Sequence, residues 1–423
     1  LGKRKGNAVF NIAREEFQLA GYITGNDTLY PNVKQLQAGE FLIFHNNEYE
    51  IGQYYNFDHS EPDQYNEKEL KNQLNKFSNQ AIKRLINYAN GRQIVIPLSG
   101  GYDSRLIATL LKQNGYKNVI TFTYGINLNK EIKYSKLVAE SLGFDWLFIK
   151  YSEKEWADWS KSKDNINYQM ECANLVSVPH LQDCIAVQKL KEDSLIDQNA
   201  VFVPGHSGDM VAGSHIPSFV FNDLDCLYTK DDLVNHLYNK HYNLKKEDKL
   251  NSLNFKERIL NNINSLEKYN AVKFANECEK FNWKNRQSKF ICNSVRLYEY
   301  YGYDWWLPLW DREFINFFQN LPLDLRNHKW YVAYVSYVYE ENAKLKNLQS
   351  SDNLGFFLNL TKKIIDKTVF LKNISRFIYQ YFCNSDNFGW YAQFPDYKIL
   401  KSKGYSYNGI VAFYYLKRIN NDD

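Results

Sequence analysis

Residues 93–151 alternate short apolar runs with helical patterns, and this rhythm constrains the fold more than any other feature of the chain. "QIVIPL" (93–98) reads as a buried strand, 104–114 as a helix, "NVITFTYG" (118–125) as a strand, 131–142 as a helix and "WLFIKY" (146–151) as a third strand. A fourth strand is expected at "AVFVPG" (200–205). Strands that alternate with helices imply right-handed crossovers and a parallel sheet covered on both faces. The expected class is therefore α/β, a parallel sheet with flanking helices. A mainly helical C-terminal part follows beyond about residue 230, and a short β-rich piece precedes it at the N-terminus.

That piece spans 1–57, with turns expected at Asn26-Asp27 and Asn46-Asn47. The polar stretch 58–69 reads as a linker, and Leu70, Leu74, Phe77, Ala81 and Leu85 recur at helical spacing after it. A main unit over 70–345 and a helical extension over 346–423 complete the expected division. Within the extension, 362–382 reads as a basic amphipathic helix that either packs on the body with its Lys/Arg face in solvent or meets a membrane surface or partner.

Composition mainly excludes. A net charge of +4 over 423 residues is too small and dispersed for nucleic-acid binding. No apolar run has the length of a membrane span, and no signal peptide is visible. The six cysteines form no CxxC pair and no zinc-like cluster, so reduced thiols in a cytoplasmic protein are expected.

The turn after the first strand carries the chemistry. In "IPLSGGYDSRLIATLL" (96–111), Gly100 and Gly101 let the backbone approach a ligand closely. The turn lies at the carboxyl edge of a parallel sheet, and amides at the helix start favour an anion there. Ser99 and Ser104 add hydroxyl donors. Asp103 would repel a phosphate unless a cation lies between them, and Mg²⁺ takes one or two carboxylates together with phosphate oxygens. The GK[ST] ending of a P-loop and the GxGxxG of a dinucleotide fold are both absent from the turn.

"LSGGYDS" resembles the SGGxDS signature of the N-type ATP pyrophosphatases, the PP-loop enzymes. Three further stretches resemble one branch, the glutamine-dependent asparagine synthetases and β-lactam synthetase. They are "EFQLAGYITGNDTLYPNVKQLQAGEFLIF" (16–44), "FVPGHSGDMVAG" (202–213) and "YEYYGYDWWLPLWDREFINFFQNLP" (298–322). The resemblance implies that ATP binds with its pyrophosphate on Ser99, Gly100, Gly101, Asp103 and Ser104. The backbones of Leu98 and Tyr124 would flank the adenine, and Gly205 would line the nucleotide. Asp103 and Asp209 would share Mg²⁺, and Lys329 would stabilise charge on the phosphates in the transition state. The reaction implied is adenylation of a substrate carboxylate with release of pyrophosphate. Ammonia, normally from glutamine, then forms the amide.

The family's glutaminase half carries an N-terminal cysteine nucleophile, whereas this chain has Leu1 and no cysteine before Cys172. The expectation is that 1–57 is the tail of such a domain, the rest lying upstream, because half a domain would expose strand edges. The alternative is free or delivered ammonia. Other departures bear on the acceptor. The family's catalytic glutamate falls on His206, its closing glutamate on Met210, and the arginine of its R-x-P-F-L-D on Trp306. These changes argue against aspartate. The PGHxGD loop resembles synthetase-like proteins of bacterial surface-polysaccharide (O-antigen) clusters, which implies a uronic-acid sugar or nucleotide-sugar as acceptor. His206 would then serve as the base for the attacking ammonia, and Trp305, Trp306 and Trp310 would either stack on the sugar or pack the core. An ordinary asparagine synthetase and a degenerate, non-catalytic binding subunit remain the alternatives, and a homodimer stays open.

Overall fold

The computed structural model describes residues 11–62, 64–246, 252–343 and 386–420. Its centre is a five-stranded parallel sheet whose strands lie in the order Asp145–Lys150, Val119–Gly125, Ile94–Pro97, Val201–Phe202, Asp304–Trp305. In chain order the elements around it are α1 (Asn11–Ala20), β1 (Glu40–His45), β2 (Glu48–Gln53), α2 (Glu67–Ala89), β3 (Ile94–Pro97), α3 (Asp103–Gln113), β4 (Val119–Gly125), α4 (Lys130–Leu142) and β5 (Asp145–Lys150). Next come α5 (Glu153–Ser160), α6 (Lys163–Cys172), α7 (Cys184–Glu192), β6 (Val201–Phe202) and α8 (Gly208–Val211). The helical part holds α9 (Ser218–Asn222), β7 (Leu227–Thr229), α10 (Lys230–His241), α11 (Ser252–Leu260), β8 (Lys268–Asn270) and α12 (Ala271–Phe281). A π-helix over Asn282–Ile291 leads to α13 (Arg296–Tyr300), β9 (Asp304–Trp305), α14 (Arg312–Gln319) and α15 (His328–Asn342). Two further helices cover Tyr397–Ser402 and Tyr407–Asn420.

The sheet separates two cores, and β3 shows how sequence produces them. Side chains alternate across a strand. Ile94 and Ile96 enter the core that holds Leu106, Leu110, Val138 and Val335, whereas Val95 enters the core that holds Phe122, Ile185, Val187 and Phe202. All three β3 residues are fully buried. Each such side chain stabilises the fold by roughly 1.5–3 kcal/mol. A strand buried on both faces explains the continuous apolar run. The third core, around Leu233, Phe255 and Phe274, belongs to the helical part.

The strand–helix rhythm over 93–151 stands as expected, as does the helix after the linker. β9 was not anticipated: two residues suffice to pair with Val201 and Phe202 and to widen the sheet. The N-terminal piece does hold short antiparallel strands, β1 and β2, joined through Asn46 (φ 50) and Asn47 (φ 63). Two left-handed residues give the turn that matches strand twist. Residues 11–20, however, form helix α1, whose Phe17 stacks on Tyr415 at 5.5 Å. Long-range packing against the last helix outweighs the local alternation there. The linker is also not free. Its Glu61 pairs with the fully buried Arg326, which also holds Glu279 at 2.6 Å. The amphipathic segment 362–382 lies outside the described residues.

Candidate functional site

The turn 98–104 joins β3 to α3 at the carboxyl edge of the sheet. Leu98 ends the strand with its N–H on the Phe122 carbonyl, and its own carbonyl accepts from Thr123 Oγ1 at 2.7 Å. Ser99, exposed, and Ser104, buried, lie 3.4 Å apart through their hydroxyls. The Ser99 amide donates to Ser104 Oγ at 3.3 Å, and the Gly101 amide donates to Ser99 Oγ at 3.1 Å. Both amides are thus engaged by hydroxyls of the turn itself, and an anion bound here would take over the positions those hydroxyls now fill.

The second loop, after β6, closes directly on this turn. A Cβ added to Gly205 would lie 2.5 Å from the Ser104 amide nitrogen, so only glycine lets the two backbones meet here. A Cβ on Gly208 would overlap the Asp103 carboxylate. Asp103 also accepts a hydrogen bond from the Tyr331 hydroxyl at 2.9 Å. Burial, and then the neighbouring Asp209 carboxylate, push its carboxyl up to about 7. Asp209 is exposed, with the Ser214 hydroxyl at 3.4 Å. Two carboxylates that repel each other at the mouth of an anion cradle are the arrangement a cation relieves. Among the described residues no cluster of three or more His, Cys, Asp or Glu side chains could hold a metal alone. The oxygen-only pair fits Mg²⁺ that completes its shell with phosphate oxygens and water.

Lys329 is exposed in the first turn of α15. Its neighbours place it: the His328 ring meets the Tyr102 ring at 5.9 Å, and Tyr331 reaches Asp103. The start of α15 therefore faces the turn, although the Lys329 ammonium itself makes no contact with it among the described residues.

His206 turns toward Ser294 and the His180–Asp183 pair. Its ring nitrogens lie 3.3 and 3.4 Å from Ser294 Oγ, which itself donates to the Ile291 carbonyl. Burial first, then His180, pull the imidazole down to about 4, against a smaller upward pull from Asp183. His206 is thus neutral at ordinary pH. Ser207 beside it has φ 72, and its hydroxyl donates to Gln287 Oε1 at 2.8 Å while accepting from Trp310 Nε1 at 2.7 Å.

Two residues that sequence reasoning missed complete this side. His180 Nε2 lies 3.2 Å from Asp183 Oδ1, and the Tyr124 hydroxyl donates to the same oxygen. Asp183 is held below the usual carboxylate range: burial alone would raise it, but His180, Tyr124 and His206 together outweigh burial. Tyr124 thus belongs to the site through its side chain as well as its backbone position. The i, i+3 spacing in "PHLQD" was the available signal. The three tryptophans form no common platform. Trp305 packs in the Val95 core and donates to Glu299, and Trp306 lies against Tyr88 at 4.6 Å in the opposite core. Only Trp310 touches the second loop.

The described geometry is thus a parallel sheet with an SGG turn at its carboxyl edge, a second glycine loop packed onto that turn and two carboxylates, Asp103 and Asp209, beside each other. Residues 83–189 match the asparagine synthase family. That stretch contains the first turn and ends before the second loop. The family's members are ATP-using amide ligases. Among solved structures the chain is similar to an NH3-dependent NAD synthetase from Campylobacter jejuni in complex with the nitrate ion. Identity is 15% and the TM-score 0.23, over 34% of this chain and 60% of that one. No curated protein sequence matches. No helix among the described residues is long and apolar enough to cross a membrane.

Proposed function

We propose that this protein is an AMP-forming amide synthetase that adenylates a carboxylate and lets ammonia, supplied as such or from glutamine, displace the AMP. The observation that carries this reading is the closure of the second loop on the first, with Gly205 against Ser104 and Gly208 against Asp103. That contact brings Asp209 beside Asp103 at the phosphate cradle. The turn amides and the hydroxyls of Ser99 and Ser104 bind and orient the pyrophosphate. Asp103 and Asp209 would hold Mg²⁺, which would supply neutralising charge for the phosphate oxygens. Lys329, from the start of α15, adds a positive charge that matters most in the transition state. The carboxylate oxygen attacks the α-phosphorus and pyrophosphate leaves. Ammonia then forms the C–N bond, AMP leaves with the former carboxylate oxygen, and one nitrogen proton passes to a base. His206 is the base in this reading: burial keeps its imidazole unprotonated and so free to accept, and the same burial makes it a weaker base than a solvent-exposed histidine.

The acceptor we favour is a uronic-acid sugar, free or as a nucleotide-sugar, in surface-polysaccharide synthesis. Support comes from His206, which lacks the negative charge that would hold the α-ammonium of aspartate. The division into a synthetase unit over 70–345, with its extension, and a glutaminase-like tail over 1–57 is part of this reading. ATP–pyrophosphate exchange with galacturonate, UDP-glucuronate and aspartate tests it. Exchange with a sugar carboxylate and not with aspartate is expected. Exchange with aspartate alone makes the protein an asparagine synthetase, and none with any carboxylate rejects the adenylating reading.

A further inference from the structure

We propose that Arg105 is the buried cation that sets the phosphate affinity of the turn, acting from behind it through the Gly100 peptide. The inference rests on the reading of 98–104 as a phosphate cradle. Arg105 follows the SGGYDS stretch directly and is 1% exposed. Its guanidinium lies 4.8 Å from the Tyr102 ring centre, 4.9 Å from Tyr134 and 5.5 Å from Tyr339. Nη2 donates to the Gly100 carbonyl at 3.1 Å, and Nε has no acceptor. Among the described residues its surroundings are therefore aromatic faces and one carbonyl.

A guanidinium cannot shed its proton, so burial leaves a permanent charge that needs compensation. Aromatic faces return only part of what desolvation costs. The remaining demand for negative charge falls on whatever occupies the turn. The peptide supplies the coupling. The Gly100 carbonyl and the Gly101 N–H belong to one planar trans unit and point in opposite directions. Pinning the carbonyl inward on Arg105 fixes the N–H outward and polarises it. That N–H now donates to Ser99 Oγ, a position a phosphate oxygen would take over. Arg105 is thus a positioning residue: it touches the turn, not the ligand.

Calorimetric titration with pyrophosphate and with adenosine tests this on the purified protein. Arg105→Gln should weaken pyrophosphate binding by about tenfold or more, the scale of losing one unit charge in a screened interior, while adenosine binding stays within about twofold. Arg105→Lys, which keeps a cation in the cage, should recover most of the affinity. Tyr102→Leu, which opens one wall of the cage and leaves the arginine in place, should weaken pyrophosphate binding a few-fold and serves if the glutamine variant does not fold. Unchanged pyrophosphate affinity in the folded glutamine variant, or in Tyr102→Leu, overturns the proposal. So does an equal loss for adenosine, which would mark Arg105 as a general support of the fold. If wild-type protein binds adenosine but no pyrophosphate, the cradle reading itself fails.

Discussion

The two ends of the site are built differently. In the proposed reading the phosphate end is centred on one stretch, 98–105, with its backbone amides, two hydroxyls and Asp103, to which the second loop adds Asp209 and the start of α15 adds Lys329. The end facing His206 is assembled from separate stretches: His180 and Asp183, the loop 204–209, Gln287 and Ser294, and Trp310. Generic chemistry such as holding a phosphate needs close backbone and can be written locally. Recognition of a particular acceptor needs side chains converging from distant parts of the chain, and these vary without disturbing the turn.

If that contrast holds, substitutions at the two ends should separate the two half-reactions. The largest effect is expected at the carboxylate pair. Asp103→Asn or Asp209→Asn should lower ATP–pyrophosphate exchange by about 10³-fold or more while circular dichroism stays native, since each removes several kcal/mol of charge stabilisation. Full exchange by both would break the assignment. His206→Ala should spare exchange and lower amide formation by about 10²-fold, which a parallel assay of AMP and amide would reveal. Equal loss of both steps would erase the distinction between the ends. Lys329→Ala should slow exchange by on the order of 10²-fold with little change in ATP affinity. Gly205→Ala, whose methyl would press on the Ser104 backbone, should cost roughly 1–3 kcal/mol of stability and raise the KM for ATP.

The smallest effect concerns pH and lies outside both ends. Burial holds His215 at about 2 and His241 well below its usual value. Such groups are neutral when folded and charged when unfolded in acid, so the unfolded chain binds more protons below about pH 6.5. Stability is complete above that pH and falls as pH drops toward the folded values, by roughly 1.5 kcal/mol for His215 between pH 6.5 and 5, with His241 adding in the same direction. Urea unfolding at the two pH values measures it.

The same contrast explains what the sequence made legible. The SGGYDS turn, β3 to β5 and their crossovers were readable because period-2 and period-3.6 patterns and glycine chemistry are local. The loops that carry Asp103 and Gly205 could be picked out in the sequence, each by its own glycines, and the structure brings them into contact across a hundred residues. Helix α1 was hidden because its packing partner, Tyr415, lies at the far end of the chain. β9 was hidden because two residues carry no period. His180 and Asp183 were missed because only the fold brings their pair under Tyr124 and beside His206. Of the two readings open for the tryptophans, core packing holds for Trp305 and Trp306, which are consecutive in sequence and so face opposite cores.

The most direct test of the central claim follows oxygen. Amide synthesis is run with ATP, Mg²⁺, ammonium and a sugar acceptor such as UDP-glucuronate labelled with ¹⁸O in its carboxylate, and the nucleotide product is analysed by mass spectrometry. Attack of the carboxylate on the α-phosphorus predicts AMP carrying one ¹⁸O atom, with unlabelled pyrophosphate. Label in inorganic phosphate with ADP as the product, or amide formed with unlabelled AMP, would contradict it.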